Sequence, residues 1–347
     1  MSQQTDADKE NEVLSASDDQ AELIRWHHRL GHISFSMLKS LAKNGEIPRR
    51  LANVKEPKCA GCLFGKMTKV PWRTRSKANS KVHEATYPGE CVSIDQMQST
   101  QAGFYAQLKG KLTSKRYTGA TIFVDHFSRL RYVHLMTSLS SQETIEAKKA
   151  FERFAADHGV CIMQYHADNG RFADNVFKQH CSLQHQTISY CGVNAHFQNG
   201  IAERSIRDIT DIARTMLLHA KARWPSAVHL SLLPYAVRMT VYIYNTAPVL
   251  LDGKSRIELF SGVNVGFRMK DNHVFGCPVF ALQNNLAAGN TIPKWSPRSS
   301  LGLNLGPSPS HARTVNLVLN LNTGLVSQQF HCYCTHAYGP FCIQEEV

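Results

Sequence analysis

No run of apolar residues in this 347-residue chain approaches the ~18 to 20 that a membrane-spanning helix needs. The first twenty residues, MSQQTDADKENEVLSASDDQ, also lack the basic-then-apolar order of a secretory signal. Acidic residues are scarce, 27 Asp plus Glu against 39 Lys plus Arg, so the net charge is +12. That balance argues against a basic partner and favours an anionic one such as nucleic acid. No segment repeats at the periods of solenoids or propellers, which excludes those architectures. A soluble intracellular protein is the expectation, with ten cysteines kept mostly reduced. Their spacing is therefore tested against metal binding before disulfides.

With 43% hydrophobic content the chain can fill more than one core, and its length suggests two or three domains. Charge is distributed unevenly among them. Residues 1–20 carry Asp6, Asp8, Glu10, Glu12, Asp18 and Asp19 against Lys9 alone, which reads as a disordered acidic leader. Between Lys39 and Lys81 stand twelve Lys or Arg but only Glu46 and Glu56. Within that stretch KMTKVPWRTRSKANSK (66–81) has no helical period and reads as a basic linker, residues 66–87 in all.

Before the linker lie WHHRLGH (26–32) and CAGC (59–62), with a helical stretch from Phe35 to Lys43 between them. Four residues separate His27 from His32, and two separate Cys59 from Cys62. A borderline-soft ion such as zinc takes tetrahedral nitrogen and sulfur ligands, and a Cys-x-x-Cys supplies two thiolates from one turn. So short a module, residues 21–65, could hardly build a core without the ion, so the zinc is expected to be structural. His28 stands as an alternative to His27.

From 88 to 225 strand and helix signals alternate. CVSIDQMQ (91–98) alternates as a strand, with Val92 and Ile94 on one face and Ser93 and Asp95 on the other. Residues 117–136 form two apolar runs divided by Asp125 to Arg129, a hairpin pattern. Ser140 and Glu143 have capping-box spacing at the head of a helix that runs to His158-Gly159. VCIMQYHAD (160–168) is a strand ending on Asp168, followed by Asn169-Gly170, a turn signal in its own right. Within 194–225, Ile206, Ile209, Ala213, Met216 and Ala220 fall at helical spacings, with Glu203 off that stripe beside Arg204 and Arg207. Asp95, Asp168 and Glu203 are thus two strand carboxylates and one helix carboxylate able to converge. Each has a plainer reading: Asp168 as a turn residue, Asp125 in place of Asp95, and Glu203 as an i,i+4 partner of Arg207.

At this point the sequence resembles the integrase region of copia-type retrotransposon polyproteins. The resemblance rests on WHHRLGH with CAGC, then SIDQ, HADNGRF, HFQNGIAER, FGCPVFAL and LNLNTGLVS, from about residue 21 to 331. It implies an α/β architecture: a ribonuclease-H-like mixed sheet with flanking helices, a small helical zinc-binding pre-integrase module before it, and a small SH3-like β-barrel after it. The catalytic triad would be Asp95, Asp168 and Glu203, binding Mg²⁺ or Mn²⁺. The zinc ligands would be His27, His32, Cys59 and Cys62. The activity implied is polynucleotidyl transfer: removal of terminal nucleotides from element cDNA, then attack of the new 3′ ends on target DNA. Three hard oxygen ligands suit two Mg²⁺ ions, which activate the attacking hydroxyl and stabilise the leaving oxygen. Lys66, Lys69, Arg73, Arg75, Lys77, Arg204 and Arg207 are the candidate phosphate contacts. Further implications are a homo-multimer, membership of a longer polyprotein, and action in the nucleus after cytoplasmic synthesis.

Three features depart from the family pattern. Only 34 residues separate Asp168 from Glu203, one fewer than usual; Arg171 stands before Phe172 where an acid is common; and CGVNAHF replaces a Pro-rich approach to QNG. A shortened turn with an intact site is expected, and the alternative is a nucleic-acid-binding remnant that has lost catalysis. Residues 226–272 read as a helical extension and connector, 273–331 as the barrel, and 332–347 as an irregular tail. That tail, with His331, Cys332, Cys334, His336 and Cys342 near one another, invites a weaker metal reading.

Overall fold

The structure, a computed structural model, describes residues 18–67, 85–104, 114–191, 199–248, 252–266 and 271–335. Helix α1 (Asp18–Arg29) opens on Asp18 and Asp19, acids that suit the positive end of a helix. It therefore begins inside the stretch expected to be a leader, whose first 17 residues lie outside the described ones. Helix α2 (Phe35–Asn44) is capped by Ser34, whose hydroxyl accepts from the Met37 amide, and ends on Gly45 at φ +84°. Helix α3 (Ala60–Lys66) carries the second cysteine of CAGC.

The central sheet has the strand order β3-β2-β1-β4-β5. Strands β1 (Val92–Phe104), β2 (Arg116–Asp125) and β3 (Arg131–Met136) form an antiparallel meander. Helix α4 (Ser141–Asp157) crosses to β4 (Gln164–Ala167), and α5 (Asn175–Leu183) crosses to β5 (Thr187–Tyr190), both strands running parallel to β1. The expected mixed sheet with flanking helices is what forms.

Strand alternation decides which side chains meet which helix. Val92, Ile94 and Phe123 share a cluster with Ala147 and Phe151 of α4. Ile122 and Val124 lie in another cluster, with Ala202, Ile209 and Ala213 of the 24-residue helix α6 (Gly200–Arg223). Asp95 pairs across the ladder with Ile122, so it stands on the α6 face. Ser93, on that same face, is buried rather than solvated, because the sheet is covered on both sides. At the head of α4 only half of the expected capping box forms. The Ser140 hydroxyl accepts from the Glu143 amide, but the Glu143 carboxylate turns to the Thr137 and Ser138 amides. A complete capping box occurs farther on, at Ser255 and Glu258.

Helix α7 (Leu233–Thr246) packs beside α6, and α8 (Arg256–Ser261) follows it. A second, five-stranded antiparallel sheet then has the order β10-β6-β7-β8-β9. Its strands are β6 (Pro278–Leu282), β7 (Ser299–Pro307), β8 (Asn316–Asn320), β9 (Val326–Gln329) and β10 (Cys332–Cys334), with a short helix, α9 (Asn284–Ala287), after β6. The last strand returns to the free edge of the first, the step by which a meander curls towards a barrel. The sheet thus extends three residues into the stretch expected to be an irregular tail. Cys332 and Cys334 pack there with Cys277, and the Cys334 thiol is pushed up to about 12, first by its hydrogen bond with Cys277. Cys332 and Cys334 are both shifted towards the neutral thiol, and His336 and Cys342 lie outside the described residues.

One apolar cluster joins Leu23, Leu38 and Leu51 of the N-terminal module, α6, α7, and Leu303, Leu317 and Val326 of the second sheet. The modules expected from sequence share a core. No helix among the described residues is long and apolar enough to cross a membrane.

Candidate metal centres

The parallel register of β1 and β4 aligns Val92 with Tyr165 and Ser93 with His166. Two residues farther on, Asp95 and Asp168 stand level on neighbouring strands, which lie ~4.8 Å apart. The Asp-Asn-Gly stretch does form a turn. The Asp168 carboxylate accepts from the Gly170 amide at 3.2 Å, and the Asn169 side chain donates to the Cys191 carbonyl at 3.0 Å, tying the turn to the end of β5. Glu203 enters from the first turn of α6. It makes no ion pair with Arg207, and Arg204 and Arg207 are exposed.

The start of α6 is fixed by a residue that the sequence reading passed over. Asn199 is buried, and its side-chain amide donates to the Ile94 carbonyl at 3.0 Å, one residue before Asp95. In the sequence this residue stood only within the QNG stretch that CGVNAHF precedes, and residues 192–198 lie outside the described ones. Asn199 instead clamps the helix that carries Glu203 to the strand that carries Asp95.

Two groups register the resulting field. Burial pushes the Asp95 carboxyl up to about 6; the Gln96 amide opposes this, and Asp168 and Glu203 add to it. The Cys191 thiol is also raised, first by burial and then by the charges of Asp168 and Glu203 and, more weakly, Asp95. Asp168 and Glu203 thus act electrostatically on Asp95, although among the described residues only the histidine and cysteine groups described next bring all their ligand atoms within 4.8 Å of one another. A convergence of mutually repelling carboxylates with oxygen donors alone suits a hard divalent cation.

Asp125 is not part of this space. It is fully buried and accepts from the Gly89 amide, the Ser128 amide and the Ser128 hydroxyl, which makes it the corner of the β2–β3 hairpin.

The N-terminal cluster brings His27, His32, Cys59 and Cys62 together, their ligand atoms all within 4.8 Å of one another. After α1 the chain doubles back through Gly31 at φ +61° and His32 at φ +59°, a left-handed step unusual for histidine. His27 Nε2 lies 3.1 Å from Cys62 Sγ, and His32 Nδ1 lies 3.5 Å from Cys59 Sγ. His27 Nδ1 faces the Ile33 carbonyl at 2.8 Å, the backing that orients a ligating imidazole. Lowered to about 7, chiefly by its hydrogen bond with Cys59, the Cys62 thiol is close to thiolate. Two imidazoles and two thiols fit tetrahedral zinc. His28, the alternative to His27, has Nε2 3.5 Å from Cys59 Sγ but belongs to a different group, with His32 and His219.

His219 was also missed. It lies on α6, and its Nδ1 is 3.1 Å from His32 Nε2, the ring nitrogen turned away from the cysteines. Its signal was its place beside the apolar stripe, one residue before Ala220. Helix α3 settles on the same stretch of α6: the Arg214 guanidinium donates to the Gly65 carbonyl at 2.8 Å, and a Cβ on Gly65 would come 2.1 Å from Thr215 Oγ1. Gly65→Ala should therefore cost about 1 to 3 kcal/mol of stability, read from thermal or denaturant unfolding, because Thr215 backbone as well as side chain stands in the way. A change below 0.5 kcal/mol would show that the two helices do not pack this closely.

Of the residues expected to meet phosphate, Lys66 ends α3 and donates to the His32 carbonyl, so it is committed to the module rather than to a linker. Lys69, Arg73, Arg75 and Lys77 lie outside the described residues.

The GAG-pre-integrase domain family model matches residues 4–67, the segment that holds this cluster. The chain is 30% identical over 278 residues to the retrovirus-related Pol polyprotein from transposon RE1 of Arabidopsis thaliana, covering 77% of this chain. It is 26% identical over 278 residues, again 77% of this chain, to that from transposon TNT 1-94 of Nicotiana tabacum. This chain is a retrotransposon integrase region. It spans 17% and 18% of the length of those two polyproteins. The integrase region also aligns with the HTLV-2 integrase catalytic core domain in complex with magnesium, at 21% identity and a TM-score of 0.36 over 50% of this chain and 98% of that one.

Proposed function

We propose that this integrase region carries out Mg²⁺-dependent 3′-end processing and strand transfer, inserting element cDNA into target DNA. The observation that carries the reading is the placement of Asp95 and Asp168 level on neighbouring strand ends, with Asn199 tying the start of the helix that carries Glu203 to the strand that carries Asp95. These three would hold Mg²⁺ or Mn²⁺, which supplies activation of the attacking hydroxyl and stabilisation of the leaving oxygen. The chain's own residues do the positioning. Asn169 holds the Asp168 turn against β5, Asn199 fixes Glu203 opposite Asp95, and exposed Arg204 and Arg207 meet backbone phosphates beside them. Structural Zn²⁺ sits on His27, His32, Cys59 and Cys62. The partners are element ends and target DNA, held by a multimer in the nucleus and released from a longer polyprotein.

The test is incubation of the zinc-loaded chain with a labelled 3′-recessed duplex, a plasmid and Mg²⁺, with joined product measured. Joined product supports the transferase. Salt-dependent DNA binding with no joining in Mg²⁺ or Mn²⁺ would instead support a binding remnant.

Acid should weaken cation binding in a defined way. Asp95 is ionised above about 6, so Mg²⁺ affinity by titration calorimetry should be level above pH 7 and fall about tenfold per unit below pH 6. Folding responds with the opposite sign. Between its unfolded value, 3.8, and about 6 the native carboxyl binds more proton than the unfolded one, so this group adds stability as pH falls through that window. A Mg²⁺ affinity that stays flat from pH 7 to 5 would remove Asp95 from the site.

A further inference from the structure

A cavity of about 240 Å³ lies at the junction of the N-terminal module with β3, α6, α7 and α8. Leu30, Met37, Ile212 and Ile243 give it an aliphatic wall, and Arg131 and Arg256 line it as well. Both arginines are almost completely buried, at 5% and 8% exposure. Their guanidinium carbons stand 3.7 Å and 3.8 Å from the centroid of the Tyr244 ring, so one aromatic ring serves two cations.

The hydrogen-bond accounting at these arginines does not close. Arg131 Nη2 donates to Asp208 at 2.7 Å, and Arg256 Nη1 donates to the Tyr244 carbonyl at 2.9 Å. Arg131 Nε and Nη1 and Arg256 Nε are buried without a partner among the described residues. Buried guanidinium donors are normally satisfied, because each that is not forfeits its hydration. The charge accounting does not close either. Arg131 is balanced by Asp208, and Asp211, at the cavity margin, is balanced by Arg214. Arg256 makes no ion pair among the described residues. Lys66, only half-buried, gives its ammonium to the His32 carbonyl.

One buried positive charge is therefore left over, with unsatisfied planar N–H donors, beside an aliphatic wall. We propose that this cavity binds a small organic monoanion, a carboxylate on an apolar body, with the carboxylate against the Arg131 and Arg256 guanidinium groups that line it and the body lying against Leu30, Met37, Ile212 and Ile243. Guanidinium is the side chain suited to a planar two-oxygen acceptor. A phosphate dianion brings more charge than the site lacks and has no apolar body for the wall. The site is separate from the carboxylate cluster, and the proposal does not depend on transferase activity.

Benzoate serves as the probe, with benzamide as its uncharged counterpart of similar shape and inorganic phosphate as an anion without an apolar body. At constant ionic strength, benzoate should raise the melting temperature of the full zinc-loaded chain saturably, and the other two should not. Arg256→Met should weaken benzoate binding at least tenfold while leaving zinc content and DNA binding as in the parent. Should that variant fail to fold, Arg256→Lys keeps the charge and loses the planar fork, and is expected to weaken binding several-fold. Equal effects of benzoate and benzamide, no saturable effect of benzoate, or benzoate affinity unchanged in the Arg256 variants would each overturn the proposal, and an inactive chain that still binds benzoate would sink the transferase alone.

Discussion

Asp168→Asn should lower strand joining by about three orders of magnitude, the rate equivalent of ~4 kcal/mol of lost transition-state stabilisation. The substitution isolates charge from shape. The asparagine carbonyl can still accept from the Gly170 amide, so the turn that Asp168 closes should survive. Melting temperature should not fall, since one of three mutually repelling carboxylates has gone, and DNA binding should stay within about twofold. The Asp95 carboxyl should titrate lower than in the parent, because Asp168 is one of the charges holding it up. Joining at more than a tenth of the parent rate, with Asp95 titrating unchanged, would show that Asp168 is only a bend in the chain.

Stripping zinc should have the second large effect, and it should reach beyond the module. Structural zinc sites contribute ~10 to 16 kcal/mol in isolated fingers, where the ion holds most of the fold together. Here Leu23, Leu38 and Leu51 also pack into the shared cluster, so the loss should be smaller but still enough to lower the melting temperature by ten degrees or more. Cys62→Ser should reproduce the chelator's effect, and added zinc should restore only the parent. Joining should fall together with zinc content, although no carboxylate has been touched, because α3 rests on the helix that carries Glu203. A chelated protein that melts and joins as before would refute the zinc assignment.

Much of this was legible in the sequence because period and spacing are local signals. The alternation in CVSIDQ placed Asp95 on the correct face, and Gly159 correctly marked the end of α4. The hairpin broke between Asp125 and Arg131, as the polar interruption required. What escaped was contact between distant segments. Asn199 looked like a loop residue because its acceptor, the Ile94 carbonyl, is 105 residues away. His219 looked like one more residue beside an apolar stripe, because its partner, His32, is 187 residues away. Glu143 had capping-box spacing, yet its carboxylate found nearer amides in the turn from β3. The separate modules merged for the same reason: composition marks linkers, but it does not say that Leu51 and Leu317 will share a core.

Helix α6 also has a mechanical consequence. Glu203 near one end and His219 near the other are sixteen residues apart, about 24 Å along the axis at ~1.5 Å per residue. The helix is thus a lever, pivoted where it meets the His/Cys knuckle, with Asn199 restraining the end that carries Glu203. A tilt of about 5° around the zinc end would swing Glu203 by about 2 Å, whereas a misplacement of ~1 Å is already enough to cost a reaction ~10²-fold. Small repacking at Gly65 or His219 is therefore geared up into an error in aim at the carboxylates.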